Sequence, residues 1–223
     1  MSPTVFVVDD DPAILKSLSR LLRVEGWLVE TYDSAETFLA RRDPQAPGCL
    51  LLDMELPGLD GLELQRRLAE TGHALPIVFL TGHGDIPMSV RAIKAGAADF
   101  LTKPVAAETL LAAVRVAIIE DASARQGRAD AAQLEQRLAS LTPREREVFA
   151  AVAAGKLNKQ IAADLGIVEQ TVKFHRARLM ERMQARTAAE LMLIAAMLGI
   201  GRESPAHGEA VPLGRTSQKL RRR

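Results

Sequence analysis

The stretch from Cys49 to Gly61, CLLLDMELPGLDG, joins a short apolar run to a single carboxylate and then to a Pro-Gly turn. Leu50, Leu51 and Leu52 are continuous rather than alternating, the pattern of a central strand buried on both faces of a parallel sheet. Asp53 stands where that strand ends. Ligands of open α/β sheets bind outside the carboxyl ends of the strands, so a carboxylate there is placed for chemistry. Strands also end in Asp merely to enter a turn, and the neighbouring segments must decide between the two.

Working outward, the same unit recurs. Thr4 to Val8 is an apolar, β-prone run ending in Asp9 and Asp10, after which Asp11 and Pro12 read as the N-cap and first position of a helix to about Glu25. Leu28 to Tyr32 reads as a second strand. A helix over Ser34 to Arg41 leads to the Leu50 strand, one over Leu62 to Glu70 to a strand at Ile77, and one over Ile86 to Ala95 to a strand at Asp99 to Thr102. Five strands alternating with helices predict a doubly wound parallel sheet. Its strand ends would bring Asp9, Asp10, Asp53, Thr81 and Lys103 to one edge.

Carboxylates confined together repel, and a proton or a cation must relieve the repulsion. Oxygen-only ligands that share a phosphate suit Mg²⁺, held here chiefly by Asp10 and Asp53. Asp53 is then expected to attack phosphorus and form an aspartyl phosphate, Lys103 to supply a second positive charge, and Thr81 to offer a hydroxyl to the phosphoryl group.

The 223 residues suffice for two domains. With 48% hydrophobic and 26% charged residues the chain is neither disordered nor membranous, and its longest apolar run, near Leu191 to Ile200, is too short to span a bilayer. MSPTVFVVDDD lacks a basic segment, so no signal peptide is expected, and a lone Cys49 makes no internal disulfide. A reducing cytoplasm is the expected home. Residues 1–120 hold 17 acids and 11 bases, whereas residues 121–223 hold 11 acids and 18 bases. Only the second part carries the footprint of a nucleic-acid partner.

VFVVDDDP, LLLDMELPGLDG, VFLTGHGD and DFLTKP together resemble the receiver domain of a two-component response regulator, over residues 1 to about 120. The resemblance implies the flavodoxin-like strand order 2-1-3-4-5. It makes Asp53 the phosphoacceptor, Asp9 and Asp10 the acidic pair, the Glu55 backbone carbonyl a metal ligand, Thr81 the switch hydroxyl and Phe100 the switch aromatic. Many family members have tyrosine at Phe100. Phenylalanine loses a hydroxyl contact, so the surface it serves should be more apolar. His83 reads as a loop residue, Gly82 and Gly84 do not complete a dinucleotide fingerprint, and Cys49 reads as a small buried hydrophobe.

Ala107 to about Leu138 predicts one long helix or two abutting ones, with Glu120 to Ala132 an exposed connector. Leu134, Leu138 and Leu141 fit either a seam with a partner or a solvated helix. Thr142, Pro143 and Glu145 form a capping box, and a helix there should end at Gly155. Asn158 opens a short helix with Ile161 and Leu165 inward, Gly166 turns the chain, and a helix follows from about Glu169 to Met183. This is a helix-turn-helix layout. Val172, Leu179 and Met183 should face inward, while Lys173, Arg176 and Arg178 project toward a major groove. Thr187 and Glu190 predict a second capping box for a helix to Leu198, whose Leu191, Ile194 and Leu198 need a partner surface.

LTPREREVF, NKQIA and TVKFHR closely resemble a LuxR-type helix-turn-helix over residues 140 to about 198. With the receiver they place the chain beside the FixJ/NarL class of response regulators, nearest to the FixJ and StyR subgroup. That resemblance implies that Lys173, Phe174 and Ala177 face base edges, while Thr171, Arg176, Arg178 and Lys156 hold phosphates. Ala177 departs from the long polar residue a base reader would have and offers at most contact with a thymine methyl. The implied domains are a receiver at 1–120, a helical linker at 121–139, a DNA-binding domain at 140–200 and a basic tail at 201–223, expected to be disordered and either adding salt-sensitive attraction to DNA or merely solvated. The expected partners are a sensor histidine kinase, promoter double-stranded DNA, RNA polymerase and, on phosphorylation, a second copy of the chain. Two rivals stand beside this. Asp9 and Asp11 flank one residue after a strand, as in haloacid dehalogenase-like phosphatases, although Pro12 and the basic second domain speak against an enzyme. A phosphate-independent regulator is the other, against which stand Asp9, Asp10, Thr81 and Lys103.

Overall fold

The structure, a computed structural model, describes residues 2–71, 75–82 and 86–200. His83, Gly84 and the tail from residue 201 lie outside them. The described residues form two compact units that divide between Ala129 and Asp130.

The first unit alternates strands and helices in chain order: β1 (Thr4–Val8), α1 (Pro12–Val24), β2 (Leu28–Tyr32), α2 (Ala35–Arg41), β3 (Gly48–Asp53), α3 (Gly61–Glu70), β4 (Ile77–Thr81), α4 (Ile86–Lys94), β5 (Asp99–Thr102) and the start of α5 (Ala107–Ala139). Every pairing is parallel and the order is β2-β1-β3-β4-β5, the flavodoxin-like arrangement. β1, β3 and β4 are buried along their whole length, which accounts for their continuous apolar runs. The pleat then sorts the side chains. Phe6, Val8, Leu50, Leu52, Ile77 and Phe79 meet α2, α3 and α4 on one face. Val5, Val7, Cys49, Leu51, Val78 and Leu80 meet α1 and α5 on the other. Each fully buried Leu, Ile, Val or Phe contributes about 1.5–3 kcal/mol, so this two-sided core holds all five strand ends at one edge.

Gly48 opens β3 with φ +149°, and a Cβ there would lie 1.7 Å from the Thr4 carbonyl oxygen of β1. Gly48→Ala is therefore expected to cost about 2–4 kcal/mol, read as a lowered urea midpoint at unchanged slope. Wild-type stability in that variant would mean that β1 and β3 separate freely there.

α5 is one continuous helix of 33 residues. The connector expected to be exposed over Glu120 to Ala132 is so except at Asp121, only 1% exposed, and at the half-buried Arg125. Asp121 Oδ2 accepts hydrogen bonds from the Gly48 N–H (2.8 Å) and Arg125 Nε (2.7 Å), while the Arg125 Nη1 and Nη2 donate to the Gln45 and Ala46 carbonyls. Burial and the nearby Asp121 charge push the Cys49 thiol up to about 12, in keeping with a core residue.

The second unit takes the end of α5 with α6 (Pro143–Ala153), α7 (Asn158–Leu165), α8 (Glu169–Met183) and α9 (Ala188–Met197). Thr142 and Glu145 cap α6 reciprocally. Gly166 takes the left-handed conformation (φ +63°) that turns α7 into α8. Val148, Phe149, Ile161, Val172, Leu179 and Met183 share one core.

The apolar stripes of α9 and of the end of α5 pack largely within the second unit. Leu191 is fully buried in this core, with Ile194 and Leu198 packed against it, so the α9 stripe is covered within its own unit. Leu141 belongs to the same core and Leu138 packs on it, so the second unit takes up two of the three leucines of the expected seam. The second capping box is only half formed. Thr187 Oγ1 accepts from the Glu190 N–H, but the Glu190 carboxylate accepts from the Arg186 N–H rather than from Thr187.

Candidate functional site

β1 delivers Asp9 and Asp10, β3 delivers Asp53, β4 delivers Thr81 and the residue after β5 is Lys103. Ligand oxygens of Asp9, Asp10 and Asp53 lie within 4.8 Å of one another. Asp9 and Asp53 are buried and Asp10 is exposed. Lys103 Nζ donates to Asp9 Oδ2 at 2.6 Å and to Asp53 Oδ2 at 2.9 Å. The remaining oxygens take backbone donors, Asp9 Oδ1 the Asp11 N–H at 2.9 Å and Asp53 Oδ1 the Glu55 N–H at 3.2 Å. Three carboxylates thus face one ammonium. Burial raises the Asp9 pKa against the opposing pull of Lys103 and the Asp11 N–H. Burial opposes the Lys103 charge, but its hydrogen bonds to Asp9 and Asp53 outweigh that and raise its pKa.

The frame around this cluster is tight. A Cβ on Gly61 would lie 2.8 Å from the Asp53 carbonyl oxygen, so α3 starts hard against the end of β3. Asp60 caps that helix through the Glu63 N–H, and Asp11 caps α1 through the Ala13 N–H at 2.7 Å. Thr81 is fully buried. Phe100 is half-buried, its ring 6.4 Å from that of Phe79. Glu55 is exposed.

In the second unit the exposed side of α8 carries Lys173, Phe174, Ala177 and Arg178. The Arg178 guanidinium sits over the Phe174 ring at 5.4 Å, and Lys173 pairs with Glu169 at 3.4 Å. Thr171 is half-buried. Arg176 departs from the outward set: it is half-buried, with Nη1 donating to Asn158 Oδ1 at 2.8 Å. Lys156 Nζ donates to Asp164 Oδ2 at 2.7 Å. The pairings of Asn158, Asp121 and Arg125 are not legible in the sequence, because each acts through a partner distant in the chain or on another helix.

A parallel sheet with an acid cluster and a lysine at its strand ends, followed in one chain by a helix-turn-helix with a basic exposed face, defines a signal-receiving regulator of DNA. Residues 5–115 match the response regulator receiver domain, and residues 139–195 match the LuxR family of bacterial regulatory proteins. The chain is 45% identical to nodulation protein W of Bradyrhizobium diazoefficiens, over 88% of its own length and 86% of the relative's. It is 44% identical to the response regulator protein TodT of Pseudomonas putida, over 85% and 84%. Its structure matches that of the response regulator StyR with a TM-score of 0.81 and 48% identity, over 88% of this chain and all of that one. The chain belongs to the two-component response regulators that join a receiver domain to a LuxR-type helix-turn-helix, close to FixJ, StyR and TodT. It is a regulator rather than a member of a catalytic enzyme family, which sets aside the dehalogenase-like rival. Asp11, the general acid of that rival, is already occupied as a helix cap. Among the described residues no helix is long and apolar enough to cross a membrane.

Proposed function

We propose that a sensor histidine kinase transfers a phosphoryl group to Asp53 and that the modified chain dimerises on promoter DNA. An oxygen of the Asp53 carboxylate bonds to phosphorus as the bond to the kinase imidazole nitrogen breaks. Lys103, already within hydrogen-bond distance of Asp53, meets the negative charge gained there. Thr81 turns its hydroxyl to the phosphoryl oxygens, and Phe100 follows inward against Phe79. The observation that carries this reading is the shared ammonium of Lys103 between Asp9 and Asp53, in one chain with the helix-turn-helix.

Mg²⁺ is the cofactor that fits. The donors are all oxygens, the cluster holds an excess of negative charge, and among the described residues Asp10 has no ion-pair partner. Asp9, Asp10, Asp53 and the Glu55 carbonyl would hold it, and when bound it offsets the charge of the phosphoryl oxygens.

Residues 1–120 are assigned the receiver role, 121–139 the connector and 140–200 DNA binding, with the connector's first turns held to the receiver through Asp121 and Arg125. In the groove Lys173, Phe174 and Ala177 face base edges. Thr171, Arg178, Lys156 and Arg176 contact phosphates, Arg176 oriented by Asn158 and Lys156 exchanging Asp164 for a phosphate. RNA polymerase is the further partner of a promoter-bound regulator.

Footprinting of the full chain with and without acetyl phosphate tests the reading, and protection that appears only with the donor is expected. On the protected site Lys173→Ala should cost about 1–3 kcal/mol and relax one base position, whereas Arg178→Ala should weaken specific and random duplexes alike and flatten the salt slope. Equal losses on both duplexes for Lys173→Ala would remove it from base reading.

A further inference from the structure

The exposed side of α8 has a middle and two margins. Val172, Leu179 and Met183 are buried in the core of the second unit. Directly opposite them, at helical spacing, run Gln170, Phe174, Ala177 and Glu181, all exposed. Lys173 and Arg178 flank this stripe on its two sides. A helix laid in the major groove presents its middle stripe to the base edges, while its margins reach the phosphate walls or, through a long side chain such as that of Lys173, the edge of an outer base, and its N-terminal turns go deepest. Within those first turns, Phe174 and Ala177 present only carbon. Gln170 alone presents a donor and an acceptor together.

That contrast decides what the stripe discriminates. Carbon surfaces distinguish a thymine methyl by contact but give no hydrogen-bond pattern. Lys173 and Arg178 are point or planar cations on the margins, the first paired with Glu169 and the second stacked over Phe174. The Gln170 side chain is exposed, so it enters the groove without first leaving a buried position. A carboxamide presents an oxygen acceptor beside an N–H donor, which matches the N6 donor and N7 acceptor of adenine in bidentate fashion.

We propose that Gln170 reads one adenine in each half-site and is the principal hydrogen-bonding specificity residue of α8, with Phe174 and Ala177 against neighbouring thymine methyls. The half-site at this helix is accordingly A·T-rich. The inference rests on the DNA-binding reading above and adds a residue and a base preference to it.

The test is selection of duplexes from a randomised double-stranded library by the full chain treated with acetyl phosphate and Mg²⁺, for wild type, Gln170→Ala and Gln170→Glu. Wild type should enrich an adenine at one position of each half-site. Gln170→Ala should lose the preference at that position alone, with affinity for the wild-type site falling about ten- to a hundredfold. Gln170→Glu should move the preference there to cytosine, whose N4 amine donates to a carboxylate. Because the side chain is exposed in the first turn of its helix, both variants should keep the wild-type circular dichroism. Recovery of the wild-type consensus by both variants would overturn the assignment of Gln170 while leaving DNA binding intact. A wild-type chain that enriches no sequence would instead overturn the DNA-binding reading, and this inference with it.

Discussion

Asp53→Asn is expected to abolish incorporation of phosphate from acetyl phosphate, where wild type takes up about one equivalent and only with Mg²⁺ present. The substitution is nearly isosteric, and the apolar part of β3 is buried on both faces, so the strand should hold its place. The Lys103 contact to Asp9 at 2.6 Å is untouched and keeps the ammonium at the site. What disappears is the anionic nucleophile, since a carboxamide oxygen is a poor one. The site contains its own control. Asp10 lies within the same 4.8 Å cluster and is exposed. Residual labelling of the Asn variant would therefore make another acid the acceptor, and Asp10 the first to examine by tryptic mapping.

Much of the receiver's geometry was legible because its signals are local. A continuous run such as VFVV or CLLL identifies a strand buried on both faces, and a charged residue at its end must lie at the sheet edge. Three such runs and two more mixed strands, in alternation with helices, leave little freedom of architecture. The details of pairing were not legible in this way. Asp121 reads as the start of a polar connector, yet its carboxylate reaches the Gly48 N–H, 73 residues earlier in the chain. Arg176 reads as an outward base, yet it stands four residues after the buried Val172 and three before the buried Leu179, on the core side of α8, where it donates to Asn158 on α7. An apolar stripe states that a face will be covered but not by what: the α9 leucines read as needing a partner surface, and their own core takes them. The wheel of α8 already contained the position of Gln170. The exposure of Phe174 and Ala177 beside it makes Gln170 the one carboxamide of a largely carbon stripe.

Phosphorylation is expected to convert a monomer into a dimer and to make tight DNA binding depend on the phase of two half-sites. One recognition helix offers too few base contacts to select a single site among the many competing sequences of a genome. With the α9 leucine stripe covered, Met192, Leu193 and Met197 remain exposed on α9, and the first unit offers a further apolar surface for pairing. Ile86, Val90 and Ile93 are exposed at one helical face of α4, and Val116 and Ile119 at one face of α5. Between these two helices in the chain lies β5, which carries Phe100. An inward move of Thr81 and Phe100 on phosphorylation would reshape that face and favour the paired state. Sedimentation should then show monomer without acetyl phosphate and dimer with it, and Val90→Glu should hold the phosphorylated chain monomeric. A dimer spaces its helices by about one turn of DNA, roughly 10 base pairs, so inserting about five between half-sites turns one away from its reader. The loss should be about a hundredfold or more, because the second contact ceases to be intramolecular. A phosphorylated chain that stays monomeric yet binds its operator tightly, indifferent to the insertion, would exclude pairing as the switch.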